Sequence, residues 1–166
     1  MEKFTPKRRQ IIYCDTGRYR KTWCGPYAIA TVCGMEYEPA YRMARQVRGK
    51  RHAKGITCND FENSCKKFGV TGKWHTLEKR QKCENFLKSG TLKPNKVYVI
   101  NITRHFFILD TRDYTTIDNQ VPEWIAAETT KHGKKLVVGY FEVDNPKFDA
   151  KAEDTWLIEP LAASSN

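Results

Sequence analysis

Thr22-Trp23-Cys24-Gly25-Pro26-Tyr27-Ala28-Ile29-Ala30 sets a cysteine where an apolar helix begins. Pro26 suits the first helical turn, because the N–H it lacks would find no partner there, and Gly34 can end the helix after Cys33. A helix start offers unpaired N–H groups and the positive end of the helix dipole, and both favour a thiolate over a thiol. Cysteines stand at 14, 24, 33, 58, 65 and 83, and Cys24 occupies such a place most clearly. A thiol on an early helix needs a base delivered from another element, so this stretch asks what the rest of the chain supplies.

Downstream, the pattern is helical first and extended later. Pro39 opens a second helix with Ala40, Met43, Ala44 and Val47 on one face, and Gly49 can stop it. A third helix starts at Thr57 as cap, with Asp60 three residues on; Cys58, Phe61, Cys65 and Phe68 share a face, and Gly69 ends it. Val70 to Thr76 reads as extended. Leu77 to Ser89 reads as a charged helix with Cys83, Phe86 and Leu87 turned inward, closed by Gly90.

Strands dominate the second half. Lys96 to Thr103 alternates at period two, and Arg104 leads into His105-Phe106-Phe107-Ile108-Leu109-Asp110. A turn near Thr111-Arg112-Asp113 precedes Tyr114 to Asp118. Val121 to His132 reads as one more helix, opened by Pro122 and closed by Gly133, and Leu136 to Val143 as another strand. Ile11-Ile12-Tyr13 and Trp156-Leu157-Ile158 are short strand candidates near the two ends. The expected fold class is α+β, a helical part packed on an antiparallel sheet, in a single domain spanning 1–166. Within it, 1–20 form an N-terminal arm, 21–92 are mainly helical, 93–160 are mainly strand, and 161–166 fray.

Composition narrows the class. Hydrophobic content of 40% with 29% charged residues fits a folded globular chain rather than a disordered one. No apolar run approaches the roughly 20 residues of a membrane span. The N-terminus lacks an apolar signal segment, so the expected compartment is the cytoplasm, with reduced thiols. No Cys-x-x-Cys pair occurs, and neither a metal nor another cofactor is expected. A net charge of +10 is concentrated in Lys7-Arg8-Arg9, Arg18-Tyr19-Arg20-Lys21 and Arg48 to Gly55. Such patches draw nucleic acid or an acidic protein by long-range field, although no nucleic-acid motif accompanies them.

His105 is the candidate base: it takes the Cys24 proton and returns it to the leaving amine. In a hairpin turning at Thr111-Arg112, Asp118 lies directly across from His105; with the turn one residue later it lies diagonal. Either way the carboxylate can fix the imidazole tautomer. Asp110 competes but points to the opposite sheet face, and Asn101 and Asn119 are outside candidates. The Cys24 backbone N–H can serve an oxyanion, with Gln10, Thr16 and Arg18 as candidates for a second donor. Trp23 can shield the cleft, and Gly25 leaves room beside the sulfur for substrate. His52, His75 and His132 fall in a basic loop, an extended stretch and a helix end, where ordinary structural roles are expected.

The segments Cys24-Gly25-Pro26-Tyr27-Ala28-Ile29-Ala30-Thr31 and Gly34-Met35-Glu36-Tyr37-Glu38-Pro39-Ala40 resemble those of small papain-like cysteine peptidases encoded by bacteriophages, relatives of bacteriocin-processing peptidases. The likeness continues discontinuously through Gly55-Ile56-Thr57, Tyr98-Val99-Ile100, Arg104 to Ile108 and Ile117-Asp118. It implies a papain-like fold and a cysteine peptidase-like hydrolase of peptide or isopeptide bonds, with Cys24 as nucleophile, His105 as base, Asp118 as orienter and no metal. By analogy it implies a viral protein acting on a host or phage protein in the host cytoplasm. The position of the family's oxyanion Gln holds Arg18 here. An amidase or acyltransferase would use the same thiol. From another class comes a non-catalytic binding module on the same scaffold, its basic surface gripping nucleic acid or an acidic host protein.

Overall fold

The computed structural model describes residues 22–149; the arm at 1–20, the tail at 161–166 and both terminal strand candidates lie outside the described residues. Three helices come first: α1 (Cys24–Val32), α2 (Tyr37–Arg48) and α3 (Cys58–Lys67). Each begins and ends where the local chemistry directs. Gly49 caps α2 in the left-handed conformation with φ 73°, a shape glycine takes without a Cβ clash. Thr57 and Asp60 form a reciprocal capping box at the start of α3, with Asp60 N–H donating to Thr57 Oγ1 and Thr57 N–H to Asp60 Oδ2, both 3.1 Å.

The rest builds one antiparallel sheet from β1 (Gly72–Lys82), β2 (Val97–Ile102), β3 (His105–Asp110), β4 (Thr115–Ile117), β5 (Ile125–Ala126) and β6 (Leu136–Val143). The strand order is β1-β6-β2-β3-β4-β5, which makes β1 an outermost strand among the described residues. A short helix α4 (Cys83–Lys88) follows β1 directly. The molecule is therefore α+β, with helices followed by a six-stranded antiparallel sheet.

Alternation along β2 and β3 sorts the core into two layers. Val97, Val99, Phe106 and Ile108 face α1–α3 and join Ile29, Phe61 and Phe141. Tyr98, Ile100, Phe107 and Leu109 face the other way and meet Cys83 and Phe86 of α4. Both faces are covered, so β3 is buried along its whole length.

Two elements differ from the sequence reading. The run from Leu77 to Ser89 is not one helix: β1 continues to Lys82, and only Cys83–Lys88 are helical. Helix-forming side chains at 77–82 yield to backbone pairing, since Gln81 and Lys82 sit opposite Val137 and Leu136 beyond an irregularity in the ladder. β1 thereby places a strand inside the part expected to be mainly helical. Nor is Val121 to His132 a helix. Ile125 and Ala126 pair with Thr116 and Thr115 as β5, Ala127 N–H donates to Tyr114 C=O, and a single 3₁₀ turn follows at Ala127–Thr129.

Candidate active site

The site lies where the start of α1 meets the start of β3. Ile102 and His105 are paired across β2 and β3, so Thr103 and Arg104 alone make the turn, with Arg104 left-handed at φ 60°. His105 is thus the first residue of its strand, and its ring lies on the α4 side of the sheet with Phe107.

Asp118 follows β4 immediately. Ile108 faces Ile117 and Asp110 faces Thr115, which is the register of the later turn and sets Asp118 diagonal to His105. The carboxylate is buried and fully engaged. Its Oδ2 lies 2.9 Å from His105 Nε2, and its Oδ1 accepts the N–H groups of Gln120 at 2.8 Å and Val121 at 2.7 Å. A further partner reaches the same oxygen: His132 Nε2 lies 2.6 Å from Asp118 Oδ2. Burial works against the charged carboxylate. The bonds from His105, His132 and Val121, with the charge of His105, outweigh it and hold the Asp118 carboxyl well below the usual carboxylate range.

His132 is the residue that sequence reasoning missed. It is buried, lies parallel to Phe107 at 5.6 Å between centroids, and sits 4.8 Å from the His105 ring. Its Nδ1 is enclosed without a hydrogen-bond partner. With Asp118 charged, the imidazole proton belongs on Nε2, and Nδ1 keeps only a lone pair. Reading 121–132 as a helix put this ring at a helix end. The pair Thr129-Thr130, β-branched and unfavourable in a helix, was the signal against that reading.

Cys24 opens α1, and Trp23 precedes it in extended conformation. The backbone N–H groups of Phe106, the residue after His105, and of Gly25 and Cys24 itself favour the charged form of the sulfur. These donors act in the direction expected of a helix start, yet the outcome is reversed. Burial pushes the Cys24 thiol up and outweighs them, and the Asp118 charge adds to the rise. The resting sulfur is a thiol, and no hydrogen bond joins it to the His105 ring among the described residues.

The remaining candidates fall as follows. Gly25 does not leave space for substrate: a Cβ there would overlap the Ile56 side chain, so the glycine lets the chain before α3 close against α1. Trp23 is half-buried, its N–H donates to Tyr37 Oη at 2.9 Å, and Lys54 Nζ lies 5.4 Å from its ring centroid. Asp110 binds Arg112 through both carboxylate oxygens at 2.9 Å. Asn101 donates to Cys58 Sγ at 3.4 Å and Asn119 to Thr22 C=O at 3.0 Å, so neither orients His105. His52 Nδ1 accepts the Lys54 N–H, and His75 stacks on Tyr140. Gln10, Thr16 and Arg18 lie outside the described residues.

His105, Asp118 and His132 also form a group whose donor atoms all lie within 4.8 Å of one another, the arrangement that a metal ion would use. A tetrahedral ion with ligands at about 2.0 Å holds them about 3.3 Å apart. Asp118 Oδ2 is 2.6 and 2.9 Å from the two imidazoles, separations that fit a shared proton better than an ion. A metal-bound His132 would also bury an unpaired Nδ1–H.

No helix of the described residues is long and apolar enough to cross a membrane. No protein-family model and no curated protein matches the chain.

Proposed function

We propose that the chain is a thiol hydrolase of peptide or isopeptide bonds, built on a papain-like scaffold, with Cys24 as nucleophile, His105 as base and Asp118 as orienter. One observation carries this reading. Asp118 engages Nε2 of His105, while the backbone N–H of the very next residue, Phe106, favours the charged form of the Cys24 sulfur. With Nε2 committed, Nδ1 is the nitrogen left to work as base, and it makes no hydrogen bond among the described residues.

In this mechanism the Cys24 proton passes to His105 Nδ1 as sulfur attacks the carbonyl carbon. The N–H groups of Cys24 and Gly25, which have no helical partner, receive the developing oxyanion. His105 then protonates the leaving amine, and water, deprotonated by the same ring, hydrolyses the thioester. Asp118 stays ionised throughout and stabilises the imidazolium.

The raised thiol favours a second reading, a non-catalytic module that binds an acidic protein or nucleic acid through its basic surface. Limiting iodoacetamide at neutral pH, with adducts mapped by mass spectrometry, separates the two. The hydrolase predicts that Cys24 outpaces Cys58 and the buried Cys33, Cys65 and Cys83, and that His105→Ala slows Cys24 by about a hundredfold. Equal, slow labelling of all six thiols, Cys14 included, unchanged in His105→Ala, rejects it.

A further inference from the structure

Arg48 ends α2, and the loop from there to α3 carries Lys50, Arg51 and Lys54, with no acidic residue until Asp60. Its position is fixed by the residues on either side of the thiol. Lys54 lies over the ring of Trp23, and Ile56 packs against Gly25, so both chain neighbours of Cys24 are covered by this loop. The loop is also tied to itself. The Arg48 guanidinium donates to the Lys54 carbonyl, and buried Ala53 and Ile56 anchor its end in the core. Lys50, Arg51 and Lys54 are exposed, and among the described residues no carboxylate pairs with any of them.

Unneutralised cations held beside a reactive thiol create a local field that selects what approaches it. We propose that this loop is a recognition surface for acidic side chains, and that the protein takes peptide segments bearing Asp or Glu next to the bond presented to Cys24. The proposal rests on the thiol-hydrolase reading for the use of the bound segment. An acidic peptide fits better than nucleic acid, for two reasons. The cations sit on one short loop rather than along a track for a phosphate backbone. The aromatic ring at hand, Trp23, already carries Lys54 over one face, which takes that face from base stacking.

The test is fluorescence anisotropy with full-length Cys24→Ala protein and three labelled peptides of equal length: acidic, neutral and basic, with duplex DNA as competitor. The acidic peptide is expected to bind about tenfold tighter than the neutral one and to weaken as salt rises. Lys50→Glu/Arg51→Glu, which changes only exposed side chains, is expected to abolish that preference. Equal binding of acidic and neutral peptides, a preference that survives charge reversal, or displacement of the acidic peptide by far less DNA than peptide competitor overturns the proposal. Iodoacetamide labelling of Cys24 in the parent protein is read in parallel. Selective labelling with indifferent peptides sinks the recognition surface and leaves the hydrolase. Unselective labelling with charge-dependent peptide binding sinks the hydrolase and leaves the recognition surface.

Discussion

His132 Nε2 approaches Asp118 Oδ2 to 2.6 Å, closer than the 2.9 Å contact of His105 with the same oxygen. Two imidazoles therefore share one acceptor atom, and the ring that the mechanism leaves idle holds it more tightly. Removing His132 takes away a charge-assisted hydrogen bond of about 1.5–3 kcal/mol. His132→Phe keeps a flat ring against Phe107 while deleting the donor. It is expected to lower stability by about 2 kcal/mol in urea unfolding. It is also expected to move the pH profile of Cys24 alkylation, because His105 is then the one imidazole left on Asp118 Oδ2. An unmoved profile would reduce His132 to a packing role.

Asp118 has a sign that can be checked. Its carboxyl is held below the usual range in the folded protein, so its contribution is present in full above the unfolded value of about 3.9 and is lost as pH falls below it. Asp118→Asn is expected to lower unfolding free energy by about 3 kcal/mol at pH 6–7, with the difference from the parent shrinking as pH approaches 3. Urea titrations at several pH values read this directly. A difference that stays constant with pH would mean that shape rather than charge is at stake.

Gly25→Ala forces a methyl group into Ile56. Overpacking of this kind costs about 1–3 kcal/mol. Because the clash is with one flexible side chain, Ile56→Val should recover part of the loss, giving a coupling energy of about 1 kcal/mol in a double-mutant cycle. Strict additivity of the two changes would mean that the chain before α3 moves away instead.

Thr57 starts α3 and so closes the basic loop. Thr57→Ala removes one half of the capping box and is expected to cost about 1 kcal/mol in thermal or urea unfolding. Asp60→Ala removes the reciprocal half and should cost a similar amount, with the pair less than additive.

A chelator gives a clean expectation for the histidine pair. Because the 2.6 and 2.9 Å separations suit protons, dialysis against EDTA should leave Cys24 labelling and thermal stability unchanged. A drop in melting temperature that zinc restores would reassign the cluster as a metal centre.

What could be read from the residues followed periodicity. Alternation across 96–110 and the short turns around it put His105 at the head of a strand with Asp118 across from it or diagonal to it, and the β3–β4 register selects the diagonal. The Thr57–Asp60 box and the Gly49 stop were equally local. Failures came where a distant partner outweighed local preference. Glu78, Lys79, Arg80 and Gln81 suit a helix, yet β6 draws 72–82 into the sheet across some sixty residues of chain. His132 reaches Asp118 only because 121–131 follow the border of β4, which no local pattern encodes. The Cys24 thiol was misjudged because helix-start donors are visible in sequence and the depth of burial is not.

The outermost position of β1 has a bearing on how these molecules behave in company. A long strand with an unpaired rim is a template on which other chains can stack. Among the described residues nothing pairs with the outer rim of β1, and it carries exposed Lys73, Lys79, Arg80 and Lys82 with Glu78 among them, so an arriving strand would meet a mostly cationic border. Like charge along this border is a barrier to a second copy pairing on it edge to edge.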